Sequence, residues 1–338
     1  MAAPEFMREV LEKALAVHLP DMLTLREKYK DVFERIILQD GTSFAVHGDL
    51  MHYFPGRFNV HNPAAVELHV TYDVFKGQPQ RVSLTEDIAP EREYLPSASS
   101  LAGCLFMADA GYFSKIYIQQ LQDACAYFIM RMSNSINPMA VCTKTQQVKP
   151  LKTWLKALPG AGVLDLDVQW PNGPVYRCVA FAALDHKKRN VLVCTNLDRE
   201  QFPAAVVGDF YRVRWQIELL FKEWKSMNNL NKFDTSHATI VETLIWGSLL
   251  VATLKRWLIN AAGKKYNRVL SLFTGAKTAH IWWLPFCFDI VVSRGADLAK
   301  ALNNALAFLA RHCQRQNVRR DRISGVFKLL YNTNESLS

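Results

Sequence analysis

Short runs of β-branched and aromatic residues, broken by turns and alternating with helical stretches, constrain this chain more than any other feature. Arg35–His47 (RIILQDGTSFAVH), Ala65–Phe75 (AVELHVTYDVF) and Gln80–Leu84 read as successive strands. Gly77 and Pro79 mark the turn between the second and third. Cys104–Ala108 is a short apolar run that fits a buried strand, and it leads into a helix-like segment, Lys115–Ala126. A second apolar run, Tyr127–Met132, follows. The order is that of an α/β chain.

The flanking sequence has other periods. From Arg8 to Leu19 the apolar positions Leu11, Ala14, Leu15 and Leu19 recur at helical spacing, Pro20 ends that helix, and Met22 with Leu25 begins a second short one. The opening MAAPEF, followed by Met7, has the look of an expression scar. Between Ser133 and Lys188, strand-like pieces (Gly162–Trp170, Val175–Leu184) flank a turn at Pro171-Asn172-Gly173-Pro174. This predicts a mostly β insertion of roughly fifty residues, far longer than an ordinary loop. Asn190–Thr195 (NVLVCT) resumes the buried-strand character. Long helices are expected after it, over about Pro203–Met227, Ala238–Ala262 and Ala296–Arg315.

Composition removes several classes of function. The 338 residues can bury a large core, as one large unit or two smaller ones. A net charge of +9 leans toward a polyanionic partner, of which nucleic acid is the commonest. The seven cysteines are scattered and form no CxxC pair, which argues against a thiolate zinc site. With no basic-then-apolar segment at the start, the expectation is a reduced, cytoplasmic protein. The most apolar stretch, Leu244–Leu254, is shorter than the about 20 residues a bilayer requires, and Glu242, Lys255 and Arg256 beside it suit a buried helix, so no membrane partner is expected. The sequence has neither a Gly-rich phosphate loop nor a nucleophile elbow, which argues against a small-molecule enzyme on an α/β scaffold.

Two aspartates occupy the same kind of place. Asp40 follows Ile36-Ile37-Leu38-Gln39 and precedes Gly41-Thr42-Ser43; Asp109 follows Leu105-Phe106-Met107-Ala108 and precedes Ala110-Gly111-Tyr112. Each lies at or near the end of an apolar strand candidate, where a side chain emerges from a rigid scaffold; the plainer alternative is that each Asp starts a turn, since Asp and Gly favour turns. In the helix expected from Asp209, the residues Tyr211, Arg214, Glu218 and Lys225 stand three, four and seven apart. At about 100° per residue they share a stripe roughly 60° wide, bordering the apolar face of Val213, Ile217, Leu220, Phe221 and Trp224. Such a stripe can look into a cleft; the plainer alternative is an i, i+4 ion pair of Arg214 with Glu218, which contributes only a few tenths of a kcal/mol.

Tyr211-x2-Arg214-x3-Glu218-x6-Lys225 resembles the Y-R-E-K signature of the bacterial cut-and-paste insertion-sequence transposases of family four, whose acid triad is DDE. Asp40-Gly41-Thr42 looks like that family's first acidic motif and Asp109-Ala110-Gly111-Tyr112 like its second, and the resemblance spans about Phe33–Leu258. It implies an RNase H-like core, a mixed sheet flanked by helices, interrupted by a β-rich insertion and followed by a helical C-terminal region. The corresponding divisions are 1–32 (helical, with the end-recognition domain reduced or missing), 33–132 and 189–262 (core), 133–188 (insertion) and 263–338 (helical and basic). It also implies that Asp40, Asp109 and Glu218 are the catalytic acids and hold two Mg²⁺ (or Mn²⁺) ions when DNA is bound. That agrees with the needs of phosphodiester attack: a positioned nucleophile, neutralised phosphate charge and a stabilised leaving oxygen. Magnesium suits so sparse a carboxylate set because it keeps waters and takes substrate oxygens as ligands. His47 and His52, five apart in a stretch read as non-helical, are not expected to be ligands.

By the same resemblance Tyr211, Arg214 and Lys225 would meet phosphates flanking the scissile bond, with Arg gripping by two parallel hydrogen bonds and Lys acting as a point charge. Trp215 would stack on a displaced base or else stand at the rim of the core. The family's other base-stacking tryptophan, in the strand before this helix, has no counterpart in Asn190–Thr195, which leaves the hairpin-forming route and other strand-processing routes both open. Lys187, Lys188 and Arg189, and the tail residues Arg311, Arg315, Arg319, Arg320 and Arg322, could track a DNA backbone or be solvated faces. The partners implied are double-stranded DNA, as terminal inverted repeats and target, and a second protomer in a synaptic complex. The setting implied is the bacterial cytoplasm, at the nucleoid when DNA is bound. The alternative is a truncated or domesticated transposase-derived DNA-binding protein without productive transposition.

Overall fold

A computed structural model describes residues 2–58, 62–143, 145–160, 162–171, 173–183, 190–316 and 326–333. The first elements are α1 (Ala3–Leu15), β1 (Leu23–Leu25), β2 (Ile36–Ala45), β3 (Pro55–Phe58), β4 (Asn62–Asp73), β5 (Gln78–Glu86) and β6 (Leu105–Ala108). The middle of the chain forms α2 (Lys115–Asp123), β7 (Tyr127–Met132), β8 (Met139–Cys142), β9 (Val148–Pro150), α3 (Leu151–Lys156), β10 (Val163–Gln169), β11 (Val175–Phe181) and β12 (Val191–Thr195). The remainder is α4 (Ala204–Val213), α5 (Trp215–Met227), α6 (Ala238–Lys265), α7 (Leu272–Lys277), α8 (Ala279–Val292), α9 (Leu298–His312) and β13 (Leu330–Asn332). The chain is of the α/β class, with mixed β-sheet flanked by helices, as an RNase H-like core requires.

Two compact units share the sequence. One comprises Met1–Lys28, Gly41–Ala89 and Trp215–Ser338; the other comprises Tyr29–Asp40 and Pro90–Arg214. In the second unit, β2 runs parallel to β6 and β6 parallel to β7, after which β12, β11, β10, β8 and β9 add in antiparallel order. Fully buried Phe106, Ile118, Leu121, Phe128, Met130, Leu166, Cys178 and Leu192 belong to one apolar core between this sheet, α2 and α3. Alternation explains the choice of face: Phe106 and Ala108 on β6 enter that core together with Phe128 and Met130, their partners on β7. Of the strands within 133–188, β11 pairs with β12, and β12 pairs with β7. All seven cysteines are free thiols, and burial pushes that of Cys178 up to about 12.

In the first unit, β4 pairs antiparallel with β3 and β5 and neighbours β2. Gly77 makes the β4–β5 turn with φ 67°, in the left-handed region that favours glycine. α1 packs on α6 and β5, and α6 packs on α9 and α7. α6 is 28 residues long and apolar enough to cross a membrane by length and composition alone. Its Arg256, however, is buried against Glu223 of α5 through contacts of 3.0 and 2.9 Å and donates to Gly77 O at 2.6 Å, as in the core helix of a folded unit.

Several local expectations change. The short helix expected at Met22–Leu25 is instead the strand β1, held by β13 with Leu23 opposite Asn332 and Leu25 opposite Leu330. A partner three hundred residues away leaves no trace in the local pattern. Ala3–Phe6 belong to α1, with Pro4 buried at its start, where a missing N–H costs nothing. The helix ends at Leu15, well before Pro20. The stretch containing His52 is a short 3-10 turn, Gly48–His52, and the expected helix at Ala296–Arg315 is α9, shorter at both ends.

Candidate active site

Register across three parallel strands builds the site. Gln39 on β2 lies opposite Ala108 on β6, and Ala108 lies opposite Met130 on β7. One residue further along each strand come Asp40, Asp109 and Arg131. Neighbouring strands stand about 4.8 Å apart, and residues of one row project from the same face. Asp109 keeps an extended backbone, φ −80° and ψ 176°, so its side chain continues the pleat. Two carboxylates and a guanidinium therefore share the carboxyl end of a parallel array, where α/β sheets bind ligands.

Two acids one strand apart repel unless cations stand with them. Arg131 Nη1 donates to Asp109 Oδ1 at 3.2 Å, and the Tyr211 hydroxyl donates to the same oxygen at 3.3 Å. Arg214 forms a close ion pair with Asp40 Oδ2, the two side chains being only 11% and 13% exposed. The Arg214 guanidinium also lies 5.7 Å from the centre of the Tyr211 ring. Burial is the main cause of the raised Tyr211 pKa, opposed by Arg214 and reinforced by Asp109, so the phenol stays a donor.

The position of α4 follows from its apolar face. Phe210 is fully buried, its ring 5.4 to 5.9 Å from those of Tyr29, Phe33 and Phe202. Tyr211, the next residue, projects beside that cluster, and Arg214 lies one turn further on. The single helix expected over 203–227 is two helices, α4 and α5, because the Arg214 N–H bonds Tyr211 O at 3.1 Å, a tighter i→i−3 turn.

Glu218, Lys225 and Trp215 lie on α5, in the first unit. Lys225 Nζ donates to Ser43 O on the later half of β2 at 2.7 Å. Burial lowers the Lys225 pKa, and the charge of Glu218 opposes that shift. Trp215 is 60% exposed. His47 Nδ1 accepts from the Asp49 N–H at 3.4 Å, a contact within the turn. Arg311 stands exposed in the last turn of α9. Lys187, Lys188 and Arg189 lie outside the described residues, as do Arg319, Arg320 and Arg322. Among the described residues no three His, Cys, Asp or Glu side chains form a group able to hold a metal ion; the structure brings together the pair Asp40 and Asp109, with Tyr211, Arg214 and Arg131. Arg131 escaped the sequence reading, although a lone charge within the apolar run YFIMRM was a usable signal.

A family described as the transposase DDE domain matches residues 31–254. The chain is similar to the transposase for insertion sequence element IS1151 of Clostridium perfringens, 22% identical over 299 residues that cover 75% of this chain and 63% of that protein. It is also similar to the transposase for insertion sequence element IS231E of Bacillus thuringiensis subsp. finitimus, 23% identical over 268 residues, covering 66% of this chain and 56% of that one. A shorter stretch of 82 residues is 38% identical to the putative transposase InsL for insertion sequence element IS186A of Escherichia coli K12, covering 24% of this chain and 21% of that one. The chain thus spans 63% and 56% of the length of the first two relatives. Among solved structures, a piggyBac transposase synaptic complex with hairpin DNA aligns with a TM-score of 0.45 at 10% identity, covering 84% of this chain and 58% of that one.

Proposed function

The chain belongs to the transposase DDE domain family, and from that premise we propose that it cleaves DNA at insertion-sequence ends and transfers the strand to a target by metal-dependent phosphoryl transfer. The observation that carries this reading is the row Asp40–Asp109–Arg131 at the carboxyl ends of three parallel strands, with Tyr211 and Arg214 on its acids. Members of the family depend on divalent metal. The donor set fits Mg²⁺ or Mn²⁺: Asp40 and Asp109 offer hard carboxylate oxygens from one rigid edge. Glu218 is assigned as the third acid on the strength of its place in the Tyr211-Arg214-Glu218-Lys225 signature. A divalent ion bound there supplies charge for the phosphate and a more acidic attacking water or hydroxyl.

The chain's own groups have separable tasks in this reading. Without DNA, Arg214 and Arg131 offset the charges of Asp40 and Asp109 and keep the edge from repelling itself open. A phosphate competes with the carboxylate for Arg214, whose fork suits either partner. Tyr211, kept protonated by burial, is free to exchange its carboxylate acceptor for a phosphate oxygen. Lys225 adds a second positive charge, and the exposed indole of Trp215 offers a stacking face for a base. The partners proposed are terminal-repeat and target DNA and a second protomer, in a bacterial cytoplasm.

The test is a nicking assay on labelled terminal-repeat DNA with Mg²⁺ or Mn²⁺, comparing the parent with Asp109→Ala and Glu218→Ala. The expected result is metal-dependent nicking by the parent and loss of about a hundredfold or more in both variants, with DNA binding retained. Equal nicking by all three would sink the catalytic assignment. Binding without nicking by the parent would leave a transposase-derived DNA-binding protein.

A further inference from the structure

The glycine of Asp109-Ala110-Gly111-Tyr112 has a reason that the turn alone does not supply. Asp109 leads into a short 3-10 turn, Ala110–Tyr112, in which the Tyr112 N–H bonds Asp109 O at 3.2 Å and the Phe113 N–H bonds Ala110 O at 3.3 Å. Tyr112 and Phe113 are buried, while Gly111 stands on the open side. Its φ lies outside the left-handed region, so other residues could adopt its backbone. Space is what a side chain would lack. A Cβ on Gly111 would fall on Oε2 of Glu91, with Cδ at 2.6 Å and Oε1 at 3.1 Å, the three nearest atoms all belonging to that one residue. The Glu91 carboxylate therefore lies against the Gly111 backbone, two residues past Asp109.

The neighbour of Glu91 holds the same peptide. Arg92 Nε donates to Gly111 O at 3.4 Å, so consecutive residues of the 3-10 turn Glu91–Tyr94 meet the Gly111 Cα and its carbonyl. That turn is seated on the unit's core: Leu95, just after it, packs there, and Pro96 O accepts from the Tyr117 hydroxyl of α2 at 2.7 Å. The Asp109 carboxylate does not hold its own turn, because it caps none of the turn's N–H groups and instead accepts from Arg131 and Tyr211. Support has to come from other side chains. Tyr112 and Phe113 give it on the buried side, and Glu91 with Arg92 gives it on the open one. A carboxylate that must meet a ligand in one orientation depends on such outer contacts.

We propose that Glu91 is a positioning residue for Asp109: together with Arg92 it grips the Gly111 backbone and so fixes the turn from which the Asp109 carboxylate is presented. Its part in nicking rests on the catalytic reading above; its grip on the turn does not.

Two readouts on the full chain test this, one of them free of catalysis. The first is amide hydrogen exchange of the DNA-free protein. Glu91→Ala is expected to speed exchange at Tyr112 and Phe113 by about fivefold or more, with exchange in β7 as in the parent. The second is the Mn²⁺ dependence of nicking on terminal-repeat DNA. Here Glu91→Ala is expected to raise the half-saturating Mn²⁺ by about tenfold, as the loss of a group that orients a ligand does. Glu91→Gln keeps the shape and an acceptor oxygen, and is expected to match the parent in both. Gly111→Ala, whose methyl evicts the carboxylate, is expected to reproduce Glu91→Ala, and Glu91→Ala/Gly111→Ala to be no worse than either alone. Unchanged exchange in Glu91→Ala, a Gln variant as impaired as the Ala variant, or losses that add in the double variant would each overturn the proposal. So would a parent-like Mn²⁺ dependence in Glu91→Ala. A parent that does not nick sinks the catalytic reading alone, because exchange still decides whether Glu91 holds the turn.

Discussion

His69 shows how one side chain sets a condition on the whole fold. It lies on β4, 2% exposed, with Nε2 3.2 Å from Thr85 Oγ1. Burial, and then the charge of Arg57, hold its pKa down to about 4. An unfolded imidazole titrates near 6.5, so between the two values the unfolded chain binds a proton that the folded chain refuses. Stability from this group is complete above about pH 6.5 and falls as the pH is lowered toward 4, by up to about 3 kcal/mol. His69→Gln, which keeps a polar partner for Thr85, is expected to lose less stability than the parent between about pH 7 and about pH 4.5 in urea unfolding. Equal losses in the two proteins would remove His69 from the account. At this scale the candidate site was half legible. Tyr211 and Arg214 stand out by fixed spacing on one helix, and Asp40 and Asp109 by their places at the ends of apolar runs. Arg131 does not, because its place beside Asp109 comes from the β6–β7 register, which local sequence does not encode.

Elements were legible where one face or one period dominates and opaque where a distant partner decides. β2, β4, β6, β7 and β12 could be read because buried strands need β-branched and aromatic runs. β1 could not, since its three residues gain strand character only from β13. The break at Arg214 was equally hidden, because the residues on both sides suit a continuous helix. α4 owes its seat to a missing side chain. A Cβ at Gly208 would come within 2.9 Å of two ring atoms of Phe181 on β11. In a free helix Gly→Ala gains about 1 kcal/mol, whereas overpacking costs about 1–3 kcal/mol. Gly208→Ala is therefore expected to lower the unfolding free energy by about 1 kcal/mol, and Gly208→Ala/Phe181→Leu to recover it. Chemical denaturation separates the cases: if Gly208→Ala alone raises stability, propensity outweighs packing and α4 is held less closely than argued.

Over the whole molecule the chain changes unit at Lys28–Tyr29, Asp40–Gly41, Ala89–Pro90 and Arg214–Trp215. Two of those crossings fall at the partners of one ion pair, Asp40 and Arg214, so residues far apart in sequence are fixed together where the backbone passes on. No Gly-rich linker marks the crossings, and the charged stretches at Arg26–Asp31 and Glu86–Glu93 read equally well as surface loops, which is why sequence alone could not show this division. Net charge, in contrast, is read directly from sequence and has a measurable consequence. In the DNA-binding role proposed above, a protein at +9 should draw a large part of its affinity from released counterions. Five or so neutralised phosphates would give a slope of log affinity against log salt near −4.5, a loss of at least about a hundredfold between about 50 and about 200 mM salt. Fluorescence anisotropy with a duplex of unrelated sequence measures this without requiring cleavage. Arg214→Ala is expected to shallow the slope by about one, the signature of a lost phosphate contact, despite freeing the charge of Asp40. An affinity that ignores salt would mean that the positive charge is spread away from the DNA, and the phosphate roles of Arg214 and Lys225 would fall with it.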